Sequence, residues 1–432
     1  MEEVDVIVDN VILVSKSTLC EPVKRSIAVS DGYIVDVDKP VKIREKYKCD
    51  EYIDGRKYIA VPGFINAHLH SYGTIFRGLG EEMTLHEIDS DAFLNSFMEY
   101  VGRVKPRDLI YYACMVTYIE ALKSGAIFIA DIPAWSYASN IMIDALNDIG
   151  LRGFIVYNAD AWKNRKISEN IVYGVRIPEE EKLEREDLEK VREIVSSDRD
   201  AMIHMHVAET IERYRIVHEK FGLSTVELLD SFNLLNDRAV LTHAIWLSDK
   251  DRRIISRRGA SIVCTPSAEM KLSDGIVQIP YFISEGINIA LGTDGALWNN
   301  SNDIILEMKI LCLLQKVTFG VKAITSKDAF IAATYSGARA FKLGKIIGDI
   351  SKGYEANIVL INSENPSLKP ILTSPRSNVL SNIVYCAHSG YVDKVIVRGE
   401  LYVDNGMLVK IDEHEILARF QKEVGKLFDK VL

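Results

Sequence analysis

The sequence predicts an α/β protein, an eight-stranded (β/α)8 TIM-like barrel that carries a small β-sandwich built from both chain ends. Eight short apolar runs alternate with helical stretches in the middle of the chain, whereas both ends alternate apolar and polar residues tightly. The 432 residues exceed one average domain and suit a barrel of about 250 residues or more with a satellite domain. We expect sandwich strands at 1–60, the barrel at 61–348, and further sandwich strands with a terminal helix at 349–432.

The two ends share one hydrophobic pattern. VDVIVDNVILV and SIAVSDGYIVDVD near the N-terminus alternate with the period of half-buried strands, and GYEANIVLI and DKVIVRGELYVDNGMLV repeat this pattern near the C-terminus. The simplest assembly pairs both ends in one sandwich.

The middle of the chain contains the candidate barrel strands, most of them nearly continuous in Val, Ile, Leu and Ala, as expected for strands buried on both faces. They lie at 61–70, 126–133, 151–159, 170–177, 201–207, 239–245, 260–266 and 287–294. Amphipathic stretches lie between them, including one that ends at Gly125 and one that begins near Ser301. An open doubly wound sheet is the alternative, but it would normally carry a Gly-rich phosphate turn after its first strand, and this sequence has none there.

The composition indicates which kinds of partner, nucleic acid, membrane or small molecule, this chain binds. A net charge of −9 has the wrong sign for binding phosphates, so nucleic acid is excluded as a partner. The chain has no stretch of 18 apolar residues and no secretory signal pattern at its start, so we expect a cytoplasmic protein without a membrane partner that acts on a small molecule. A homo-oligomer is left open. The charge run from Glu179 to Glu193 is expected to be a solvated helix face without function.

The cysteines indicate neither a disulfide framework nor a thiolate zinc site. They are widely scattered and form no C-x-x-C pair, so we expect buried or idle thiols. The six are Cys20, Cys49, Cys114, Cys264, Cys312 and Cys386.

Metal-capable side chains fall at the ends of the predicted strands. In a β/α barrel the C-terminal strand ends converge on one pocket, so His70, His206, His243 and Asp294 become neighbours there. His68 lies two residues before His70, and because side chains in a strand alternate, both face the barrel interior.

His204 and His206 show the same alternation, and spacing alone does not choose between them. His206 lies nearer the strand end and is followed three residues later by Glu209, whose carboxylate could overhang a metal, so we expect His206 to be the ligand and His204 to support its neighbours. Asp294 lies in LGTDG, where flanking glycines allow close approach of the backbone, which favours a ligand and proton acceptor over a simple turn cap.

The motifs PGFINAHLHSYGTIFRG, HMHVAET, LTHAIWLS, CTPSAEMKLSDG and LGTDGALWNN resemble those of the amidohydrolase superfamily, in particular its chlorohydrolase and methylthioadenosine or S-adenosylhomocysteine deaminase branch. The likeness runs in order across residues 58–310 and extends to the terminal sandwich. It implies one divalent metal held by His68, His70, His206 and Asp294, because binuclear relatives use a strand-four lysine that NIVYGVRI lacks. Zn²⁺ is expected, with Fe²⁺ or Mn²⁺ as alternatives.

The resemblance also implies a mechanism. Metal binding lowers the pKa of a water from about 15.7 toward roughly 7, and the resulting hydroxide attacks a ring carbon that carries an amino group. Asp294 takes the proton of the water, His243 hydrogen-bonds the attacking oxygen and Glu209 protonates the adjacent ring nitrogen.

We therefore expect hydrolytic deamination of an aminopurine, a nucleoside or a related heteroaromatic ring. Dechlorination of a triazine-like ring or hydrolysis of a cyclic amide could use the same site. A non-catalytic scaffold is the third reading, and the retention of Glu209 and His243 together with all four ligands speaks against it.

Two departures from the branch affect the expected substrate contacts. Nucleoside-acting relatives end strand four in a Pro-His-x-Pro segment and follow strand seven with Pro-x-x-Asn, whereas this chain has Arg176 and Glu269 in these places. Glu269 could accept hydrogen bonds from substrate amino groups, and Arg176 could bind an anionic substituent or pair with Glu269, or both could be structural. Trp135, Trp162 and Trp298 are candidates for stacking on a flat ring, or packing residues.

Overall fold

The computed structural model describes residues 1–19 and 21–431, so Cys20 lies outside the described residues. The strands are β1 Glu2–Leu13, β2 Val23–Ser30, β3 Tyr33–Asp38, β4 Tyr47–Asp54, β5 Tyr58–Pro62, β6 Phe64–Leu69, β7 Ala126–Asp131, β8 Arg152–Asn158, β9 Ile171–Arg176, β10 Met202–Val207, β11 Ala239–His243, β12 Ser261–Cys264, β13 Asn288–Leu291, β14 Ile358–Asn362, β15 Val392–Val397, β16 Glu400–Asp404 and β17 Met407–Leu408. The helices are α1 Pro40–Lys46, α2 Leu85–Ser90, α3 Ala92–Val104, α4 Arg107–Lys123, α5 Ala138–Ile149, α6 Arg185–Ser197, α7 Ile211–Phe221, α8 Thr225–Ser231, α9 Asp249–Arg258, α10 Pro266–Lys271, α11 Ile279–Ser284, α12 Ile304–Phe319, α13 Ser326–Ala332, α14 Tyr335–Ala340, α15 Val379–Cys386 and α16 Glu413–Val431.

The barrel consists of β6 to β13, eight parallel strands that neighbour one another in chain order. Each of the eight predicted runs contains one of these strands, so the predicted barrel is confirmed. The last strand meets the first through the loop after β13, where the backbone amides of Thr293 and Asp294 donate to the His68 carbonyl oxygen at 3.1 and 3.0 Å. Closure of the barrel therefore also places Asp294 beside the predicted histidines.

Both predicted helices are present, and α4 lies where its pattern placed it. Helix α12 begins at Ile304 rather than near Ser301, because the Asp303 carboxylate accepts hydrogen bonds from the amides of Ile305 and Leu306 and caps the helix there.

The two chain ends form a nine-stranded mixed sheet, in which β14 of the C-terminal part pairs antiparallel with β5 of the N-terminal part. This confirms that both ends join in one β structure. Strand β1 pairs along most of its length with β4, and Ile12 and Leu13 at its end pair with β5. Buried residues from both ends, including Val8 and Ile358, share one hydrophobic cluster. The boundaries at 60/61 and 348/349 remain a prediction.

The C-terminal helix α16 packs against the barrel helices rather than the terminal sheet. The Phe428 ring lies 4.6 Å from that of Phe97 on α3, and Glu413 pairs with Lys123 at the end of α4 at 2.9 Å. None of the described helices combines the length and the hydrophobicity of a membrane-spanning segment. Its five cysteines are unpaired, and three of them are buried.

Candidate active site

Four side chains meet at the C-terminal mouth of the barrel. Nε2 of His206 lies 3.3 Å from Nε2 of His68, and Oδ1 of Asp294 lies 3.4 Å from Nε2 of His70 and 3.6 Å from Nε2 of His68. Four ligands arranged tetrahedrally about a metal at 2.0–2.1 Å would lie about 3.4 Å apart. All four side chains are buried, and the ligand atoms of His68, His70 and Asp294 lie close enough together to hold a metal ion, with His206 next to His68. The assignment of all four residues as ligands stays a prediction from the sequence.

In His206 and His70, the ring nitrogen that faces away from the ligand group makes a hydrogen bond of its own. Nδ1 of His206 donates to the Glu179 carboxylate at 2.9 Å, and Nδ1 of His70 donates to the Ile132 carbonyl oxygen at 2.8 Å. Such contacts orient a metal-binding imidazole and select its tautomer. Burial lowers the pKa of His68 and His70 well below the usual value, which keeps these rings neutral and able to bind a metal.

His204 lies next to this set. Its ring stacks on that of His68 at 5.4 Å with an angle of 7°, and its Nε2 lies 3.2 Å from the Thr242 hydroxyl, which is also 3.3 Å from Nδ1 of His68. With His68 and His206 it could form a second three-residue metal group. Its contact with Thr242 suits the predicted supporting role, whereas His206 has the carboxylate that orients its free nitrogen.

The glycines beside Asp294 allow its loop to approach the histidines. A Cβ atom on Gly292 would lie 2.7 Å from the His68 carbonyl oxygen, and one on Gly295 would lie 2.9 Å from that of His70. Asp294 itself has a φ of +60°, a strained conformation for a non-glycine residue. The backbone of Asp294 is thus held in an unfavourable conformation at the position that brings its carboxylate to the histidines.

His243 and Glu209 form a second group beside the first. Nε2 of His243 lies 3.2 Å from Glu209 Oε1, and its Nδ1 lies 3.6 Å from Glu269 Oε1. Burial would lower the pKa of His243, but the charge of Glu209 and the nearby carboxylate of Glu269 outweigh it and raise the pKa to about 10. His243 is therefore a cation at neutral pH and can donate to an oxygen in the pocket.

Arg213 on α7 joins the supporting groups, and the sequence analysis did not identify it. Its guanidinium donates to Glu209, lies 3.6 Å from Glu179 and from Asp89, and pairs with Glu181 at 3.1 Å. One cation thus holds both the carboxylate behind His206 and the carboxylate beside His243. The four-residue spacing from Glu209, just before α7, to Arg213 on α7 was the available signal.

The expectation that the charge run from Glu179 to Glu193 is a functionless solvated face is wrong at its start. Helix α6 begins only at Arg185, and Glu179 and Glu180 lie at the mouth of the barrel. Burial alone would raise the pKa of Glu179, but His206 and Arg176 hold it well below its usual value. The position of Glu179 after the end of β9 was the signal for its role.

The expected substrate contacts are only partly brought together. Arg176 donates to the Pro133 carbonyl oxygen at 2.6 Å and pairs with Glu179, so it does not form the pair with Glu269 that was one of the alternatives. Its partner is Glu179 because that residue follows β9 directly. Glu269 is buried, accepts from the Thr265 amide at 2.9 Å and lies beside His243.

The three tryptophans lie in different places. The Trp298 ring lies 5.1 Å from that of His70, and its buried Nε1 has no hydrogen-bond partner among the described residues. Trp135 packs on Tyr72 beside it at 5.4 Å. Trp162 lies elsewhere, in a cleft of about 670 Å³ that also contains Met202 at the N-terminal end of β10.

These features agree with a family of known proteins. The model of the Amidohydrolase family matches residues 59–402. This chain belongs to the amidohydrolase family.

Within this family the chain is similar to 5-methylthioadenosine/S-adenosylhomocysteine deaminase of Pyrococcus horikoshii, with 33% identity over 94% of this chain and 97% of the relative. It is also similar to 5'-deoxyadenosine deaminase of Methanobrevibacter smithii, with 30% identity over 97% and 98%. Both confirm the deaminase branch that the motifs indicated.

Solved structures confirm the fold. An adenosine deaminase from Xanthomonas campestris with bound zinc covers 100% of this chain and 99% of its own, with a TM-score of 0.89 and 21% identity. An atrazine chlorohydrolase from Arthrobacter aurescens with zinc and atraton covers 97% and 100%, with a TM-score of 0.87 and 17% identity. The amidohydrolase barrel and the sheet from both chain ends are therefore shared with both proteins.

Proposed function

We propose that this chain is a mononuclear metal-dependent deaminase that hydrolyses the exocyclic amino group of an aminopurine nucleoside, with Zn²⁺ as its metal. The observation that carries the proposal is the buried group of His68, His70 and Asp294, with Nε2 of His206 3.3 Å from that of His68, beside the Glu209–His243 pair. The two relatives support the substrate class, because both are named for adenosine derivatives that differ at the 5' position.

The metal would be held by His68, His70, His206 and Asp294. Three imidazoles and one carboxylate suit zinc, which can expand to five ligands and so accept a water in addition to these four. When bound there, a divalent metal supplies a water activated for nucleophilic attack at neutral pH. We assign the rest of the chemistry to side chains of this chain.

Proton transfer would be divided among three residues. Asp294 accepts a proton from the attacking water and passes it to the leaving amine. Glu209 takes the second proton of the water from the new hydroxyl, as this becomes a carbonyl, and donates it to the ring nitrogen next to the attacked carbon. His243, held as a cation by Glu209 and Glu269, donates a hydrogen bond to the attacking oxygen. The water oxygen ends on the ring carbon, its two protons end on the ring nitrogen and the amine, and ammonia leaves.

Aromatic rings provide a surface for a flat substrate. Trp298 and Tyr72 lie 5.7 Å apart by ring centroids, and each also packs against His70, at 5.1 and 5.5 Å. A purine entering above His70 would contact this surface, and the unpartnered Nε1 of Trp298 offers it a hydrogen-bond donor. Arg176 and Glu269 would not contact the substrate. Arg176 would position Glu179, and Glu269 would position His243.

The first experiment measures ammonia release by purified, zinc-reconstituted protein across aminopurines, aminopyrimidines and their nucleosides, including adenosines modified at the 5' position. We expect release from the nucleosides, loss of release with His68→Ala or after chelation, and recovery when Zn²⁺ is restored. His86→Ala is the matched control, because His86 is exposed on α2 and should keep full activity.

The other outcomes separate the alternatives. Chloride or acid release without ammonia, from halogenated triazines or cyclic amides, would replace deamination by another hydrolysis at the same site. No turnover of any compound by protein with bound metal would favour a scaffold. A cytoplasmic location and a homo-oligomer remain predictions from the sequence.

A further inference from the structure

Asp274 is a buried acid that the mechanism above does not use. It lies in the loop between α10 and α11, after β12, and only 6% of its surface is exposed. Its Oδ2 atom is buried and has no hydrogen-bond partner in the described part of the chain. A buried polar group without a partner is costly, so its retention requires an explanation.

The backbone of Asp274 is fixed on both sides. Its amide donates to the Glu269 carbonyl oxygen at 3.0 Å, and its own carbonyl oxygen accepts from Nε1 of Trp246 at 2.8 Å. The following Gly275 has a φ of +137° and contacts Ile245, where a Cβ atom would clash at 2.7 Å. The loop therefore holds the carboxyl group in place rather than letting it turn toward solvent.

The surroundings of the carboxyl group are those of the active site. Burial raises the pKa of Asp274 to about 8, and the next largest effects come from Glu209, which raises it, and His243, which lowers it. Glu269 and Asp294 also raise it.

The contacts of the loop place Asp274 there. Gly275 lies against Ile245 and Trp246. The amides of these two residues donate to the Ala208 carbonyl oxygen, directly before Glu209, at 3.2 and 3.0 Å. Asp274 therefore lies next to the loop that carries Glu209.

We propose that Asp274 is a substrate-binding residue that selects rings with a second amino group, placed on the other side of the ring nitrogen that Glu209 protonates. This inference rests on the proposed deamination. If Glu209 faces that nitrogen, one flanking carbon is attacked and the other presents its substituent toward the neighbours of Glu209, among which is Asp274. In a purine this pattern is that of a 2,6-diaminopurine.

A carboxyl group can hydrogen-bond to the edge of a ring that carries an amino group next to a ring nitrogen. A carboxyl oxygen accepts a hydrogen bond from an amino group, and a protonated carboxyl also donates one to the ring nitrogen beside that amino group. A ring that lacks the second amino group leaves Asp274 without a partner inside the complex, and a site built for an N–H group discriminates strongly against ligands without it.

The test compares 2,6-diaminopurine riboside with adenosine as substrates. In the unmodified enzyme we expect kcat/KM for the diamino compound to be higher by about tenfold or more. Asp274→Ala should remove this preference mainly through KM and leave adenosine within about threefold, whereas Asp274→Asn should keep part of it, because an amide still offers a donor and an acceptor.

Glu285→Ala is the matched control. Glu285 also has a buried, unpartnered oxygen, but it pairs with Arg252 near the opposite end of the barrel and should leave the preference unchanged. Equal rates with both substrates in the unmodified enzyme, or equal losses on both substrates in Asp274→Ala, would overturn the proposal.

A binding measurement separates this inference from the proposed function. The dissociation constants of 2-aminopurine riboside and purine riboside, neither of which carries the amino group that leaves, are compared on metal-loaded protein. Tighter binding of the 2-amino compound that disappears in Asp274→Ala supports the role of Asp274 even if no ammonia is released from any substrate. Equal binding of the two compounds contradicts it.

Discussion

Glu179 and His206 are joined by a hydrogen bond in which Nδ1 of the imidazole lies 2.9 Å from both carboxylate oxygens. This contact leaves Nε2 of His206 directed at His68, 3.3 Å away. A residue on the loop after one strand thus determines how a ligand on the next strand faces the metal position.

Glu179→Gln is expected to weaken metal binding by about 10- to 100-fold, because the amide holds the His206 ring less firmly and makes its free nitrogen less basic. The measurement is competition for Zn²⁺ against a chelator of known affinity. Glu189→Gln changes an exposed residue of the same charge run and should leave the affinity unchanged. Equal affinities of the two variants would show that Glu179 does not support the metal.

The convergence of His68, His70 and Asp294 was predictable because few physical rules determine it. Alternation along β6 directs His68 and His70 to the same face, and barrel topology brings Asp294 to them, as the 3.4 and 3.6 Å separations show. The same alternation could not distinguish His204 from His206. The structure distinguishes them by their partners, Thr242 and Glu179, which lie on other strands or loops.

The supporting groups were less accessible to sequence reasoning. Glu179 begins a run whose alternating charges resemble a solvated helix, and only the early end of β9 shows that it lies at the barrel mouth. Asp274 and Glu307 depend on how loops and helices fold back over the site, which no local pattern encodes. Residues on the strands followed from periodicity, whereas residues that approach from loops did not.

Glu209→Gln is expected to lower kcat by about 100- to 10,000-fold while KM and the unfolding midpoint change little, because an amide cannot transfer the proton to the ring nitrogen. Steady-state ammonia release and thermal unfolding measure the two effects. Glu212→Gln, an exposed change three residues later at the start of α7, is the control. A variant that retains more than a tenth of the activity would exclude Glu209 as the proton donor.

Arg213→Gln is expected to destabilise the fold by about 3 kcal/mol and to lower kcat, because Glu209 and Glu179 both lose their cation. Arg213→Lys should recover part of both losses, since a lysine keeps the charge but not the forked geometry. Urea unfolding and ammonia release provide the readouts. The exposed Arg215→Gln should match the unmodified protein, and similar losses in that variant would remove the special role of Arg213.

Glu307 on α12 gives a prediction about pH. Its buried carboxylate accepts hydrogen bonds from the Ser267 amide at 3.1 Å and from the Asn299 side chain at 3.0 Å, and so connects the start of α10 to the loop after β13. Burial raises its pKa from 4.5 to about 7, against the opposing effect of the hydrogen bonds with Ser267. The folded state therefore binds a proton more tightly than the unfolded state does.

A raised pKa in the folded state contributes stability that is fully present below pH 4.5 and is lost as the pH rises through about 7. We expect the free energy of unfolding, relative to that of Glu307→Gln, to fall across this window by at most about 3 kcal/mol and to become constant above it. Urea unfolding of both proteins at several pH values measures this difference. A difference that stays constant, or that grows with pH, would mean that Glu307 is already ionised in the folded protein at the lower end of the window.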